Sequence, residues 1–193
     1  ASDVYKRQAQ DLGVRTIQLA GYDVYYEEKS PQTRQRFIKN LRKACDWAEE
    51  AQVVLAIEIM DDPFLNSIEK YLAVEKEIDS PYLFVYPDIG NVSAWHNDVY
   101  SEFYLGHHAV AALHLKDTYA VTESSKGQFR DVPFGQGCVK WEEAFDILKQ
   151  TNYNGPFLIE MWSENCETVE ETRAAIQEAQ AFLYPLIKKA GLM

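Results

Sequence analysis

Four apolar, β-rich runs in this sequence end in or beside an ionisable side chain. The four side chains belong to Glu58, Asp88, His114 and Glu160. When such runs form the parallel strands of an α/β barrel, their carboxyl ends meet at one rim, where barrel active sites lie. We therefore expect these four side chains to lie close together at that rim.

Three carboxylates and an imidazole in one place favour a bound divalent cation. Burying these groups without compensation would cost several kcal/mol for each unpaired charge. Oxygen donors with a single nitrogen suit Mn²⁺, Zn²⁺, Co²⁺ or Mg²⁺, and do not suit a structural zinc or an iron–sulfur cluster. Taken singly, a glutamate at a strand end is more often a solvated residue or a helix cap, and a lone histidine is more often a core residue. The pattern of residues alone leaves both interpretations open.

The elements that must position these residues are five apolar runs alternating with helical patterns. The runs span residues 16–21, 53–57, 82–86, 110–115 and 157–159. Helices are predicted near 31–48, 67–78, 98–108 and 141–148, and from 168 to about Pro185, which should kink or end the last helix. The alternation predicts an α/β fold of right-handed βαβ units in one domain over residues 1–193. The segment 117–137 is predicted to be a long functional loop.

The composition narrows the classes of partner. The 193 residues include 19 Lys plus Arg against 30 Asp plus Glu, a formal net charge of −11. A surface this acidic repels phosphate backbones and anionic lipid. Nucleic acid and membranes are therefore not expected as partners. The three cysteines have no C-x-x-C spacing and predict neither a disulfide framework nor a thiolate zinc site. No apolar run has the length of a membrane span or the form of a signal peptide, so a cytoplasmic location is expected.

Six segments carry a family resemblance. They are TIQLAGYDVYYE at 16–27, LAIEIMD at 55–61, YPDIGN at 86–91, HLKDT at 114–118, VPFGQG at 132–137 and LIEMW at 158–162. From about Gly13 to Met193 the chain resembles the L-xylulose-5-phosphate 3-epimerases, also called L-ribulose-5-phosphate 3-epimerases, which are xylose-isomerase-like barrels. The resemblance implies one divalent metal held by Glu58, Asp88, His114 and Glu160.

The activity that this resemblance implies is that of an isomerase inverting C3 of a ketopentose 5-phosphate. The C3 proton lies next to the C2 carbonyl, so its loss gives an enediolate whose charge the metal would stabilise at O2 and O3. Inversion needs an acid/base group on each face of the substrate, and Glu58 and Glu160 are the candidates. A carboxylate bound to a metal is a weak base, and the sequence leaves this tension open.

Three further residues are candidates for contact with the sugar phosphate. Asn91 could bind a substrate hydroxyl or simply form a turn with Gly90. Lys116 could bind a sugar oxygen or the phosphate, or pair with Asp117. Arg130 is the candidate for the phosphate, because phosphate sites in these barrels often lie on the last loops, although an arginine on an exposed loop is ordinary.

The chain departs from the family in its length. A complete barrel has eight strands, and the five runs here match the family's fourth to eighth, so we expect an N-terminally truncated (β/α)8 barrel with residues 1–8 as a foreign lead-in. Two open sheet edges would follow, with poor solubility and little turnover. Two alternatives stay open: an epimerase or isomerase of a keto-sugar without phosphate, and an inactive metal-binding fragment. A homodimer is possible for a full-length parent.

Overall fold

The structure is a computed structural model that describes residues 2–193, with side chains described from Tyr5 onward. The helices are α1 (Ser2–Leu12), α2 (Pro31–Ala51), α3 (Ile68–Ile78), α4 (Ile89–Ala94), α5 (Val99–Gly106), α6 (Trp141–Gln150) and α7 (Val169–Ala190), with a 3-10 turn at His107–Ala109. The strands are β1 (Thr16–Ala20), β2 (Val54–Glu58), β3 (Leu83–Tyr86), β4 (Leu113–Leu115), β5 (Asp117–Tyr119), β6 (Gln128–Val132) and β7 (Phe157–Ile159).

The five predicted strands form a parallel array in the order β1-β2-β3-β4-β7. Ladders join β1 to β2, β2 to β3 and β4 to β7, all parallel. Parallel bridges between Val85 and Val110 and between Asp88 and His114 connect β3 to β4. Within the described residues, β1 and β7 each keep one edge without a neighbouring strand. Beside that open edge of β7, the Leu158 side chain is 44% exposed.

The two faces of the array are unequal. The face covered by helices carries the main core, in which Ile57, Val85 and Leu113 are at most 1% exposed. The other face, toward the inside of the curved array, carries a small separate cluster of Ala56, Tyr86 and Ala112. Because side chains alternate along a strand, residues two positions beyond these fall on the same inner face. Glu58, Asp88 and His114 occupy those positions.

Capping chemistry defines the ends of the long helices. Ser30 caps α2 through a reciprocal capping box with Thr33, and Pro31 occupies the first turn. Thr168 and Glu171 form the same box at the start of α7, and the helix ends at Gly191 in the left-handed conformation. Of the two effects predicted for Pro185, a kink or the end of the helix, the second was wrong, since α7 continues to Ala190. Among the described helices, none is long and apolar enough to cross a membrane.

The segment 117–137 contains structure that the sequence did not predict. β5 and β6 pair as an antiparallel hairpin, with Asp117 opposite Val132 and Gly127 at a positive φ of 76° in the turn. The opening residues also adopt a regular structure, because α1 packs on α2 with Ala9 only 6% exposed. The origin of residues 1–8 as a lead-in stays a prediction.

Candidate metal centre

The structure brings the four sequence-predicted ligands together at the carboxyl ends of the strands. Glu58 ends β2, Asp88 lies two residues beyond β3, His114 lies in β4 and Glu160 directly follows β7. One donor atom from each residue lies within 4.8 Å of the corresponding atoms of the others. Asp88 is also the N-cap of α4, so its hydrogen bond to the start of that helix fixes the position of its carboxylate.

Each carboxylate has one oxygen held by a neighbour and another turned toward the cluster. Oε2 of Glu58 accepts a hydrogen bond from Nε2 of Gln18 at 2.7 Å, and its Oε1 lies 2.9 Å from His114 Nδ1. Oδ1 of Asp88 accepts from the backbone N–H of Asn91 at 2.8 Å. Its Oδ2 is completely buried and accepts no hydrogen bond.

The third carboxylate, that of Glu160, follows the same pattern. Its Oε1 lies 3.4 Å from the ammonium Nζ of Lys116, and its Oε2 lies 2.8 Å from His114 Nδ1 without an aligned hydrogen bond. The same lysine is 3.0 Å from Asp88 Oδ2, as an ion pair whose angle does not make a hydrogen bond. Buried acceptors without donors are costly in a folded protein. Oδ2 of Asp88 and Oε2 of Glu160 contact Lys116 and His114 as ion pairs without an aligned hydrogen bond, and both oxygens belong to the cluster, so this donor set fits a divalent cation.

The protonation of the cluster reflects the repulsion among its acids. Burial raises the pKa of Asp88 well above its usual range, and the Glu160 carboxylate adds to this while Lys116 opposes it. Burial also opposes ionisation of Glu160, but the nearby His114 and Asp88 side chains and the charge of Lys116 lower its pKa to about 2. Burial lowers the pKa of His114, but Glu160 and Glu58 outweigh it and raise that pKa to about 9. The cluster therefore holds protons that a cation would displace.

Two glycines allow the strand ends to approach closely enough to form the cluster. A Cβ atom added at Gly21 would lie well inside van der Waals contact with the carbonyl oxygen of Glu58. A Cβ added at Gly90 would lie 2.6 Å from the carbonyl oxygen of Lys116. A larger residue at either position would displace the backbone beside the candidate ligands.

The three residues predicted to contact substrate are placed differently. Asn91 is buried in α4, where its Nδ2 donates to the carbonyl of Ile59 at 2.8 Å and its Oδ1 has no partner. Lys116 is 6% exposed and belongs to the cluster. Its predicted alternative pairing with Asp117 was wrong, because its Nζ contacts Asp88 and Glu160 instead.

Arg130 lies on the exposed hairpin strand β6, away from the cluster. It and the cluster residue Lys116 both contact the ring of Trp162. Its guanidinium carbon lies 4.8 Å from the centre of the Trp162 ring, and Lys116 Nζ lies 5.3 Å from the same centre. A cleft of about 370 Å³ opens beside them and is lined by Lys116, Glu160 and Trp162. Two cations, one buried and one exposed, thus lie 5.3 and 4.8 Å from the centre of one aromatic ring that lines the cleft.

Asp117 is a structural residue that the sequence did not reveal. Its buried carboxylate accepts hydrogen bonds from the indole of Trp141 and from four backbone N–H groups, those of Thr118, Gly135, Gly137 and Val139. These bonds hold the loop that follows β6 against the carboxyl end of β4. The loop wall of the cleft therefore depends on this single carboxylate.

Gln18 and Tyr86 are further residues of the centre that sequence reasoning missed. Tyr86 is 4% exposed, and its ring centre lies 4.6 Å from that of His114. Burial, with Glu58 and Glu160 nearby, raises the pKa of Tyr86 to about 12, so the phenol stays protonated. A signal for Gln18 exists in the sequence, because it is the one amide within the otherwise apolar residues 17–20.

The parallel array with a rim of metal-ligand side chains defines a barrel-type protein with a candidate divalent-metal centre. The model of the xylose isomerase-like TIM barrel family matches residues 7–186, and the chain belongs to that family.

Among curated proteins, "Putative L-ribulose-5-phosphate 3-epimerase SgbU" of Haemophilus influenzae is 52% identical over 183 residues, covering 95% of this chain and 63% of that protein. The L-ribulose-5-phosphate 3-epimerase UlaE of Escherichia coli O157:H7 is 47% identical over 185 residues, covering 96% and 62%. These relatives confirm the resemblance seen in the sequence, and the chain spans somewhat less than two thirds of their length.

A solved structure described as that of L-ribulose 3-epimerase superposes with a TM-score of 0.78 at 18% identity, covering 98% of this chain and 66% of that one. At this identity the likeness shows the fold alone. It confirms that the parallel array is part of a barrel.

Proposed function

We propose that this chain carries the metal centre of an L-ribulose-5-phosphate 3-epimerase. The observation that carries the proposal is the cluster of four donor atoms within 4.8 Å of one another, three of them from carboxylates whose side chains are at most 18% exposed. The names of the curated relatives support a pentulose 5-phosphate as the substrate. The reaction is inversion at C3, which interconverts L-xylulose 5-phosphate and L-ribulose 5-phosphate.

Glu58, Asp88, His114 and Glu160 would hold one divalent ion, of which Mn²⁺, Zn²⁺, Co²⁺ and Mg²⁺ suit the donor set. When bound, the ion supplies a Lewis acid that polarises the C2 carbonyl and stabilises the negative charge left by loss of the C3 proton.

The proton transfers are assigned to Glu58 and Glu160. Their strands, β2 and β7, lie on either side of β4 in the sheet order, so the two carboxylates reach the cluster from opposite directions. One removes the C3 proton and the other returns a proton on the opposite face, with the roles exchanged in the reverse reaction. Oε2 of Glu58 and Oε1 of Glu160 face away from the cluster centre, toward Gln18 and Lys116. In this proposal the outer oxygens would carry the proton transfers, with Gln18 and Lys116 as their polar neighbours, while the inner oxygens would hold the ion.

Recognition of the phosphate is assigned to Arg130. An arginine beside an aromatic wall combines a planar donor group with a fixed orientation, which suits a phosphate dianion. Lys116 lies near the same tryptophan ring and within the cluster, where it would bind a sugar oxygen. The unpartnered Oδ1 of Asn91 would accept a hydrogen bond from a substrate hydroxyl.

The test is exchange of the C3 hydrogen of L-xylulose 5-phosphate for deuterium in D₂O, followed by NMR with and without Mn²⁺. Exchange that depends on Mn²⁺ and falls at least about 100-fold in Glu160→Gln is expected, the usual size of a lost acid/base group. Glu50→Gln, at an exposed position on α2, is the matched control and should exchange normally. Tight Mn²⁺ binding without exchange would favour the inactive metal-binding fragment.

A second comparison separates the phosphorylated substrate from the free sugar. Arg130→Gln should raise KM for L-xylulose 5-phosphate and leave KM for L-xylulose unchanged. Equal activity of the parent chain on both sugars, with no effect of Arg130→Gln, would instead support the alternative of a non-phosphorylated keto-sugar. A homodimer of a longer form stays a proposal that sedimentation would test.

A further inference from the structure

Gln18 is the neighbour that holds the outer oxygen of Glu58. In the pairing of β1 with β2, Gln18 lies opposite Ala56, and Ala20 lies opposite Glu58. Gln18 is two residues before Ala20, so the two side chains are on the same face of the sheet. Its amide Nε2 donates to Glu58 Oε2 at 2.7 Å. The amide orientation is fixed by chemistry, because a carboxylate oxygen can only accept from the NH₂ end of the side chain.

The outer oxygen of each carboxylate in the cluster, the one turned away from the cluster centre, is held by a different kind of neighbour. The outer oxygen of Asp88 is held by the backbone N–H that it caps in α4. The outer oxygen of Glu160 faces the ammonium group of Lys116. Glu58 has neither a helix start nor a cation on its outer oxygen, and it relies on the neutral amide of Gln18.

We infer that Gln18 is a positioning residue that fixes which oxygen of Glu58 faces the metal centre and keeps the other oxygen from turning onto it. This inference rests on the metal centre proposed above. A carboxylate without a fixed outer oxygen can present one or both oxygens to a cation. The hydrogen bond from Gln18 selects one oxygen and so limits the protein to one donor atom from Glu58.

The length of the side chain matters to this role. Gln18 must reach Glu58 along the strand direction, because the residue directly opposite Glu58 is Ala20. An asparagine at position 18 keeps the amide but shortens the reach by one methylene. Gln18→Met keeps the length and shape and removes the donor, so the two variants break the same hydrogen bond in two different ways.

The experiment is titration of the 193-residue chain with Co²⁺, in which visible absorption reports both affinity and coordination number. Gln18→Met and Gln18→Asn should bind Co²⁺ at least about 10-fold more weakly, the usual effect of removing a partner that orients a ligand. Their absorption should weaken per ion, because a second oxygen of Glu58 raises the coordination number. Gln32→Met, at an exposed position on α2, should behave as the parent chain does.

The outcomes distinguish the inference from the proposal beneath it. A parent chain that binds no Co²⁺ would overturn the metal centre, and the role of Gln18 with it. A parent chain that binds Co²⁺, with Gln18→Met showing the same affinity and the same spectrum, would overturn the role of Gln18 alone. Thermal unfolding without metal should be nearly equal for all variants, since Gln18 is exposed and contributes little to the core.

Discussion

Binding of a divalent ion should release the proton held by His114. Nδ1 of this histidine lies 2.9 Å from a carboxylate oxygen of Glu58 and 2.8 Å from one of Glu160. Burial alone would lower its pKa, but the two carboxylates outweigh burial and raise the pKa to about 9. An ion in the cluster needs the lone pair of the same nitrogen, so the proton must leave when the ion binds.

The size of the effect follows from that pKa. At pH 7 the histidine is about two pH units below its pKa, and each unit costs about 1.4 kcal/mol, so removing the proton costs about 3 kcal/mol. Apparent Mn²⁺ affinity at pH 7 should therefore be about 100-fold weaker than above pH 9. Between pH 6 and pH 8.5 the affinity should rise about tenfold per pH unit and then level off.

Isothermal titration calorimetry measures both the affinity and the proton. Titrations of Mn²⁺ in two buffers with different ionisation enthalpies should show at least one proton released per ion at pH 7. His114→Asn removes the titrating nitrogen, so its affinity should be weaker at pH 9 and its slope against pH should fall by about one. A parent chain with the same affinity from pH 6 to pH 8.5, and equal heats in both buffers, would refute the reasoning.

Three further outcomes are expected. Without added cation, the raised pKa of His114 makes its contribution to stability complete below pH 6.5 and lost as the pH rises through 9, so urea midpoints should fall between pH 6.5 and 9.5. Gly21→Ala forces a Cβ against the Glu58 backbone and should lower stability by about 1–3 kcal/mol and weaken Mn²⁺ binding. Gly13→Ala, which meets no atom within 4 Å, should leave Mn²⁺ binding unchanged. Asp117→Asn turns an NH₂ group toward several N–H donors and should cost about 2–3 kcal/mol in urea unfolding, whereas a loss below about 0.5 kcal/mol would show that the loop does not depend on it.

The sequence predicted the parallel strands and the set of candidate ligands because both depend on local order. Each strand is a short apolar run, and Glu58 and Glu160 lie at or directly after the end of theirs. Parallel packing then brings the strand ends to one rim whatever the details of the helices. The number of residues between one candidate ligand and the next did not help to predict the site. The position of each candidate ligand relative to the end of its strand did predict it.

The parts that the sequence did not predict depend on contacts between distant residues. The helix α4 has six residues and includes Gly90, so no helical period marks it, and its N-cap, Asp88, was already assigned as a ligand. The loop that follows the β5–β6 hairpin is held by Asp117, whose partners lie up to 24 residues further along the chain. Gln18 is a single polar residue in an apolar strand, and only the register with β2 shows that it faces Glu58.

The charges of the cluster give an independent argument for a divalent ion. Glu58, Asp88 and Glu160 would contribute three negative charges when ionised, and Lys116, which lies within 3.4 Å of two of them, contributes one positive charge. Two negative charges remain in a region where these side chains are at most 18% exposed. Uncompensated buried charges cost several kcal/mol each, so a cluster without an ion must hold protons, as the raised pKa values of His114 and Asp88 indicate. A divalent cation would balance the two remaining charges with His114 neutral, whereas a monovalent cation would leave one negative charge that only a retained proton could balance.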